Sequence, residues 1–316
     1  MVDGVVVIDK IRGVTSHDVV AAMRKLSGSP RVGHFGTLDP MATGVLPVAL
    51  GRATRLQQFY LGSRKVYSGT VRFGFSTSTY DAEGTPTSEV KPACLTTRDL
   101  DRVKGQFLGP IQQIPPAFSA KKVQGVSSHR LARKNQSVEL KPIQVEVYQF
   151  DLALISEEEA EFRVECSGGT YIRSLAHEMG KSLGCGAHLN SLRRLASGEF
   201  TLKQALEFSH LQKERGGIVP SSEWIKQLIP MERLLPWMPT ISVQKEDLKR
   251  VKNGMAFLVE RKQDNDRDSA LSSLPDRQWV RLMANGDELV GIGLVGPSGT
   301  GDDWSEVKPK VILSTP

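Results

Sequence analysis

Gly33-His34-Phe35-Gly36-Thr37-Leu38-Asp39-Pro40-Met41-Ala42-Thr43-Gly44 is the stretch on which the reading of this chain turns. Its glycines and its proline break any helical or strand period, so Gly33 to Leu46 reads as a loop. The loop carries a carboxylate, Asp39, held in register by Pro40, and a histidine, His34, able to stack. An aspartate before a proline is by itself an ordinary turn residue, so the surroundings must decide what this one is for.

Upstream, Val5 to Ile8 reads as a buried strand. Thr15-Ser16-His17-Asp18 has the capping-box pattern, and Val19, Val20, Met23 and Leu26 follow at helical spacing until Gly28 and Pro30 end the helix. Downstream, Lys65 to Phe73 puts Tyr67, Val71 and Phe73 on one face at period two, as a half-buried strand does. Leu100, Val103 and Phe107 mark a second helix. Ile143 to Ile155 and Ala160 to Ser167 pair as strands around the acidic turn Glu157-Glu158-Glu159. A third helix starts at Tyr171, buries Ile172, Leu175, Ala176, Met179 and Leu183, and stops at Gly184. From about Pro236 the pattern changes to short apolar runs, Phe257 to Val259, Trp279 to Met283, Leu289 to Leu294 and Lys310 to Leu313, which predict a small β domain. Arg261 to Pro275 is polar and reads as a hairpin loop within it.

A chain of 316 residues calls for a large domain with a smaller companion, and 39% apolar against 24% charged residues is the balance of a folded chain. Lys and Arg outnumber Asp and Glu by 41 to 35, a net charge of +6, which suits a polyanionic partner without identifying one. Placement says more: Gln112 to Pro142 is bounded by prolines and holds Lys121, Lys122, Arg130, Arg133, Lys134 and Lys141 against one acid, Glu139. The three cysteines, Cys94, Cys166 and Cys185, form no C-x-x-C pair, so neither a disulfide framework nor a zinc knuckle is indicated. His34 lacks a Cys or His at ligand spacing, which sets aside a metal role for it. The apolar run at the amino terminus is too short for a signal region and no stretch is long enough to span a membrane, so a cytoplasmic protein is expected.

The loop resembles the signature H-x-G-x-L-D-P-x-A-x-G of the B-type pseudouridine synthases. The resemblance continues through Gly4-Val5 to Asp9-Lys10, Lys65-Val66-Tyr67, Gln113-Ile114-Pro115-Pro116, Ser119-Ala120 and Ala132-Arg133. It then covers Gly169-Thr170-Tyr171-Ile172-Arg173, Leu183 to His188 and Leu192-Arg193-Arg194-Leu195. What it implies is an α+β chain. A pseudouridine synthase domain over residues 1–235 has a central mixed, largely antiparallel sheet flanked by helices, a basic thumb at 112–142 and a PUA-like RNA-binding domain over 236–316.

The reaction implied is isomerisation of uridine 55 in the T-loop of tRNA, in which uracil is detached from C1′, turned and rejoined through C5. Asp39 would be the nucleophile, attacking either C1′ or C6, two routes the sequence leaves open. Arg173 would pair with Asp39, and Tyr67 would stack on the uracil and assist loss of the C5 proton. Tyr171 and Leu192 would wall the pocket, and His34 would fill the gap left by an everted base. Lys121, Lys122, Arg130, Arg133, Lys134 and Arg193 would contact RNA, with affinity falling steeply as salt rises. No cofactor and no metal are implied. The partner would be the tRNA T-stem-loop, with no membrane, no obligatory protein partner and a monomeric chain.

Three positions depart from the family pattern: Ile11 stands where proline is usual, Phe35 where glycine or threonine is common, and His129 where tyrosine is common. Two other readings stay in view, a guide-RNA-directed enzyme of the same fold and an RNA-binding protein without chemistry.

Overall fold

Val5, Val6, Val7 and Ile8 expose none of their surface, which is what a strand covered on both faces demands. They form β1 (Gly4–Lys10), which runs antiparallel to β3 (Thr43–Leu50) in unbroken register from Gly4 opposite Leu50 to Lys10 opposite Gly44. The computed structural model describes residues 2–118, 140–208, 224–260, 275, 277–296 and 304–313, and the backbone alone at 122–123, 126–127 and 223.

The large sheet has the order β12 (Leu206–Glu207), β1, β3, β10 (Ala187–Ser197), β4 (Lys65–Phe73), β9 (Glu159–Cys166), β8 (Ile143–Ser156), β5 (Gly109–Gln113). β2 (Val32–His34) pairs with β3, and β11 (Phe200–Thr201) with β10. Pairing is antiparallel except for β1 with β12 and β3 with β10, so the sheet is mixed and largely antiparallel. A separate ladder joins β6 (Lys122–Val123) to β7 (Val126–Ser127).

Local chemistry sets the helix ends. In α1 (Ser16–Ser27) the Thr15 hydroxyl accepts from the Asp18 amide at 3.1 Å while Asp18 accepts from the Thr15 amide at 2.9 Å, and Gly28 closes the helix at φ 64°. α2 (Gln57–Leu61) is a single short helix before β4, and α3 (Thr97–Gln106) repeats the capping box with Thr96 and Asp99. α4 (Ile172–Leu183) runs between Tyr171 and Gly184, the latter at φ 75°.

The loop expected over Gly33 to Leu46 is shorter than that. Gly33 and His34 already belong to β2 and Thr43 to β3, so the irregular part is 35–42. Glycines and a proline punctuate a strand edge as readily as a loop, which is why composition overran the boundary.

The five-stranded sheet has the order β13 (Thr240–Ser242), β15 (Trp279–Ala284), β16 (Glu288–Val295), β17 (Trp304–Ile312), β14 (Phe257–Glu260), with α5 (Lys245–Lys252) beside it. Residues 261–274 of the expected hairpin loop lie outside the described residues. On one face of the large sheet, Val6, Ile8, Val19, Met23, Tyr67 and Leu175 join a core under the helices. On the other, Val5, Val7, Phe35 and Tyr60 share a core with Leu235, Met283, Ile292 and Val311, so the smaller sheet packs against the larger one through buried apolar contact. The Tyr60 hydroxyl donates to Glu199 Oε1 at 2.6 Å and accepts from the Leu235 amide at 2.8 Å, which pins the connecting segment. Among the described residues no helix is long and apolar enough to cross a membrane.

Gly44 brings β3 and β10 together. Its φ is 103°, and a Cβ there would collide with the Arg194 carbonyl oxygen. Gly44→Ala is therefore expected to destabilise the chain by ~3 kcal/mol or more, seen as a lower urea midpoint. An unchanged midpoint would show that the two strands have room to part.

Candidate active site

The loop between β2 and β3 is tied down on both sides of Asp39. Buried Ser16, at the start of α1, accepts from the Leu38 amide at 2.8 Å and donates to the Leu38 carbonyl at 3.0 Å. The Ala42 amide donates to the Asp39 carbonyl at 3.0 Å, and the Gly13 amide to the Pro40 carbonyl at 2.9 Å. Lys10, fully buried, donates from Nζ to the carbonyls of Val14 at 2.8 Å, Ile11 at 3.0 Å and Pro40 at 3.3 Å. Burial lowers the Lys10 ammonium to about 8, against the pull of Asp39. These bonds meet polar groups that would otherwise be stranded, and they fix the backbone that aims the carboxylate.

Arg173 lies in the first turn of α4 and its side chain is 6% exposed, against 35% for Asp39. Its Nη2 donates to Asp39 Oδ1 at 3.1 Å, and Nε stands 2.8 Å from Oδ2 as an ion contact. The remaining donors reach the Phe118 carbonyl at 3.0 Å and the Thr79 carbonyl at 3.1 Å, with Asp81 Oδ2 3.5 Å from Nη1. One guanidinium therefore gathers a helix, the signature loop and two further loops, and it leaves the Asp39 carboxylate facing open space.

That space is a cavity of about 330 Å³ whose lining includes Asp39, Tyr67, Tyr171, Arg173, Leu192 and Arg194. Its size falls within the usual range of small-molecule pockets, and its wall is mostly apolar with convergent polar groups. Tyr67 comes from β4, Leu192 and Arg194 from β10, and Tyr171 from the cap of α4. The Gln113 side chain fixes Tyr171 by accepting from its amide at 2.7 Å and donating to its carbonyl at 2.9 Å. Burial pushes the Tyr67 phenol up, with the Arg194 guanidinium beside it working the other way. Lys65 is also at the wall. Burial lowers its ammonium to about 8, and its Nζ donates to the carbonyls of Tyr60, Leu61 and Ser63.

A second cavity of about 560 Å³ adjoins the first, with Asp39 and Arg173 lining both. It is lined by His17, His34, Thr79 and Asp81 as well. His34 Nδ1 accepts from the Gly36 amide at 3.3 Å, and burial lowers its basicity.

The structure thus brings together Asp39, Tyr67, Tyr171, Arg173 and Leu192, with His34 next door. Of the residues singled out for RNA, Lys121, Arg130, Arg133 and Lys134 lie outside the described residues, and Lys122 is described in its backbone only. Arg193 forks onto Asp9, Nη2 to Oδ2 at 2.6 Å and Nη1 to Oδ1 at 3.1 Å. Phe35 is fully buried and stacks on Tyr60, ring centroids 4.3 Å apart, and Ile11 is exposed. Asp81 escaped the sequence reading, and Arg194 stood in a quoted motif without an assigned role. Asp81 accepts from the Glu83 amide at 3.1 Å, so in sequence it reads as a turn aspartate ahead of Gly84. Among the described residues no group of three or more His, Cys, Asp or Glu side chains is placed to hold a metal ion.

Comparison with known proteins places the chain in a family. Residues 24–172 match the model of the TruB family pseudouridylate synthase N-terminal domain, and residues 173–236 that of the tRNA pseudouridylate synthase B C-terminal domain. The fold is that of a pseudouridine synthase, and the family's enzymes are isomerases. The chain is 46% identical to the tRNA pseudouridine synthase B of Solibacter usitatus, over 93% of this chain and 96% of that one. It is 37% identical to the enzyme of the same name from Aquifex aeolicus, over 93% and 98%. It belongs to the TruB family. Among solved structures, a chain of a Cbf5-Nop10-Gar1 complex superposes with a TM-score of 0.71 at 27% identity, over 98% of this chain and 85% of that chain.

Proposed function

We propose that this chain converts uridine 55 in the T-loop of tRNA to pseudouridine, with Asp39 as the nucleophile and no cofactor. The observation that carries the reading is the Asp39 carboxylate, partly exposed and held 2.8 Å from the buried Arg173 guanidinium at the edge of a cavity walled by Tyr67 and Leu192. The names of the curated relatives supply tRNA as the substrate.

The target base is stacked in the folded tRNA elbow and must be everted to reach Asp39, and His34 fills the space it leaves. Asp39 attacks C1′ or C6 while the bond from N1 to C1′ breaks. The uracil turns on Tyr67 between Tyr171 and Leu192 and C5 bonds to C1′; Asp39 leaves C1′ in that same step on the first route and leaves C6 as C5 loses its proton on the second, and in either case N1 ends carrying a proton. Reactant and product are isomers, so no electrons enter or leave and no redox cofactor is required. In this reading residues 112–142, with Lys121, Lys122, Arg130, Arg133 and Lys134, close over the T-arm, and Arg193 contacts the RNA. Residues 236–316 serve as a PUA-like RNA-binding unit, and the chain works as a monomer.

Purified chain in buffer containing EDTA is expected to convert one T-loop uridine of an unmodified tRNA transcript, seen as a new carbodiimide-dependent stop in primer extension. Absence of the stop, or its dependence on added metal, guide RNA or a protein partner, would refute the reading.

A further inference from the structure

Arg194 is 1% exposed and heads the large side chains that are fully buried among the described residues. A guanidinium taken out of water is stable only where its donors are met. Its Nε donates to the Val45 carbonyl at 2.7 Å, Nη2 to that of Gly36 at 3.1 Å, and Nη1 to that of Thr37 at 3.3 Å. Gly36 and Thr37 precede Asp39 and Val45 follows it, so a single planar group clips the two legs of the loop that carries the carboxylate. All three acceptors are neutral carbonyls. An apolar side chain at this strand crossing would pack without the burden of desolvation, which points to a use for the charge.

The charge faces Tyr67. Arg194 and Tyr67 are directly paired in register between β10 and β4, so their side chains leave the sheet on the same face, and both line the cavity with Asp39. The other charged or titratable groups facing the Tyr67 oxygen are Cys166 on β9 and Asp39 on the loop, and both disfavour negative charge there. Lys65, two residues along β4, turns its ammonium toward the carbonyls at the end of α2. Among the described residues, Arg194 is the group that favours negative charge on Tyr67.

We propose that Arg194 is a positioning residue of the isomerisation, holding both legs of the Asp39 loop while stabilising negative charge on Tyr67 as that oxygen takes the C5 proton. The inference rests on the function proposed above. In this step C5, newly bonded to C1′, gives its proton to the Tyr67 phenolate, and the C–H electron pair re-forms the C5–C6 double bond. On the C1′ route the C6–N1 double-bond pair moves onto N1, which takes a proton from solvent, and on the C6 route the Asp39 oxygen departs from C6 with its bonding pair. Tyr67, now a phenol, returns the proton to solvent after product release, and Arg194 stays charged throughout.

The test uses the full chain and its Arg194→Met and Arg194→Lys variants, checked for folding by thermal melting. The readout is single-turnover release of tritium from C5 of a tRNA transcript between about pH 6 and about pH 9. Arg194→Met is expected to lose ~10³-fold in rate with tRNA affinity within about threefold, and its rising limb should move to higher pH. Arg194→Lys keeps the charge but offers its donors from one point, so it should lose ~10-fold or more while keeping the unaltered limb. A rate within about threefold of the unaltered chain in either variant, or a limb that stays in place in Arg194→Met, overturns the proposal. If Arg194→Met melts below the assay temperature, the rate of Arg194→Lys decides by the same criterion. If the unaltered chain releases no tritium, the proposed function itself fails and takes this inference with it.

Discussion

Asp39→Asn should leave no measurable isomerisation, a loss of at least ~10⁴-fold, while tRNA binding stays within about tenfold. The amide has nearly the shape of the carboxylate and can still accept a hydrogen bond from Arg173 Nη2, so the loop should keep its path. What it lacks is charge and nucleophilicity. Arg173 retains the carbonyls of Thr79 and Phe118 and the Asp81 carboxylate, which keeps the buried guanidinium from being stranded. Tritium release from C5 measures turnover and filter binding measures affinity. Collapse of binding with turnover per bound complex preserved would make Asp39 a structural residue and remove the basis of the mechanism.

Arg173→Lys should reduce single-turnover conversion by ~10²–10³-fold. The substitution keeps a positive charge, and by charge alone it should be mild. Geometry argues otherwise: the guanidinium reaches Asp39, Asp81 and the carbonyls of Thr79 and Phe118 from a flat, forked group, and an ammonium cannot span them. The thermal midpoint should fall as well, because the side chain is almost fully buried and two carboxylates depend on it. A rate within about threefold of the unaltered chain would mean that the pair contributes charge and not alignment.

Much of the fold was legible because local chemistry was strong. The Thr15 and Asp18 capping box, Gly28 and Gly184 at helix ends, and the alternation along Lys65–Phe73 each bind within a few residues, and the structure places elements where those signals do. The hairpin of Ile143–Ser156 and Glu159–Cys166 follows for the same reason. The strand Ala187–Ser197 was not read as one. It lies between β3 and β4 in the centre of the sheet, yet Arg193-Arg194 interrupts its apolar pattern, and a buried arginine cannot be told from an exposed one by spacing. Lys245–Lys252 was missed because only Val251 of its eight residues is buried and its charges read as a polar turn.

The site divides along the same line. Asp39, Tyr67, Arg173, Tyr171, Leu192 and His34 came from the resemblance of motifs, since spacing alone leaves each of them an ordinary turn, strand or helix residue. The structure gives what motifs leave out, namely which groups orient which. Asp81 behind Arg173, Ser16 behind Leu38 and Arg194 behind the loop are contacts between segments far apart in sequence, set by tertiary packing that no local window holds.

The most direct test of the account is where the RNA becomes bonded to the protein. Chain mixed with a T-arm RNA, quenched in acid during the first turnover, digested and examined by mass spectrometry should carry a nucleotide on the peptide containing Asp39, and Asp39→Asn should carry none. A nucleotide bonded to any other residue, or conversion by Asp39→Asn at a rate near that of the unaltered chain, would contradict it.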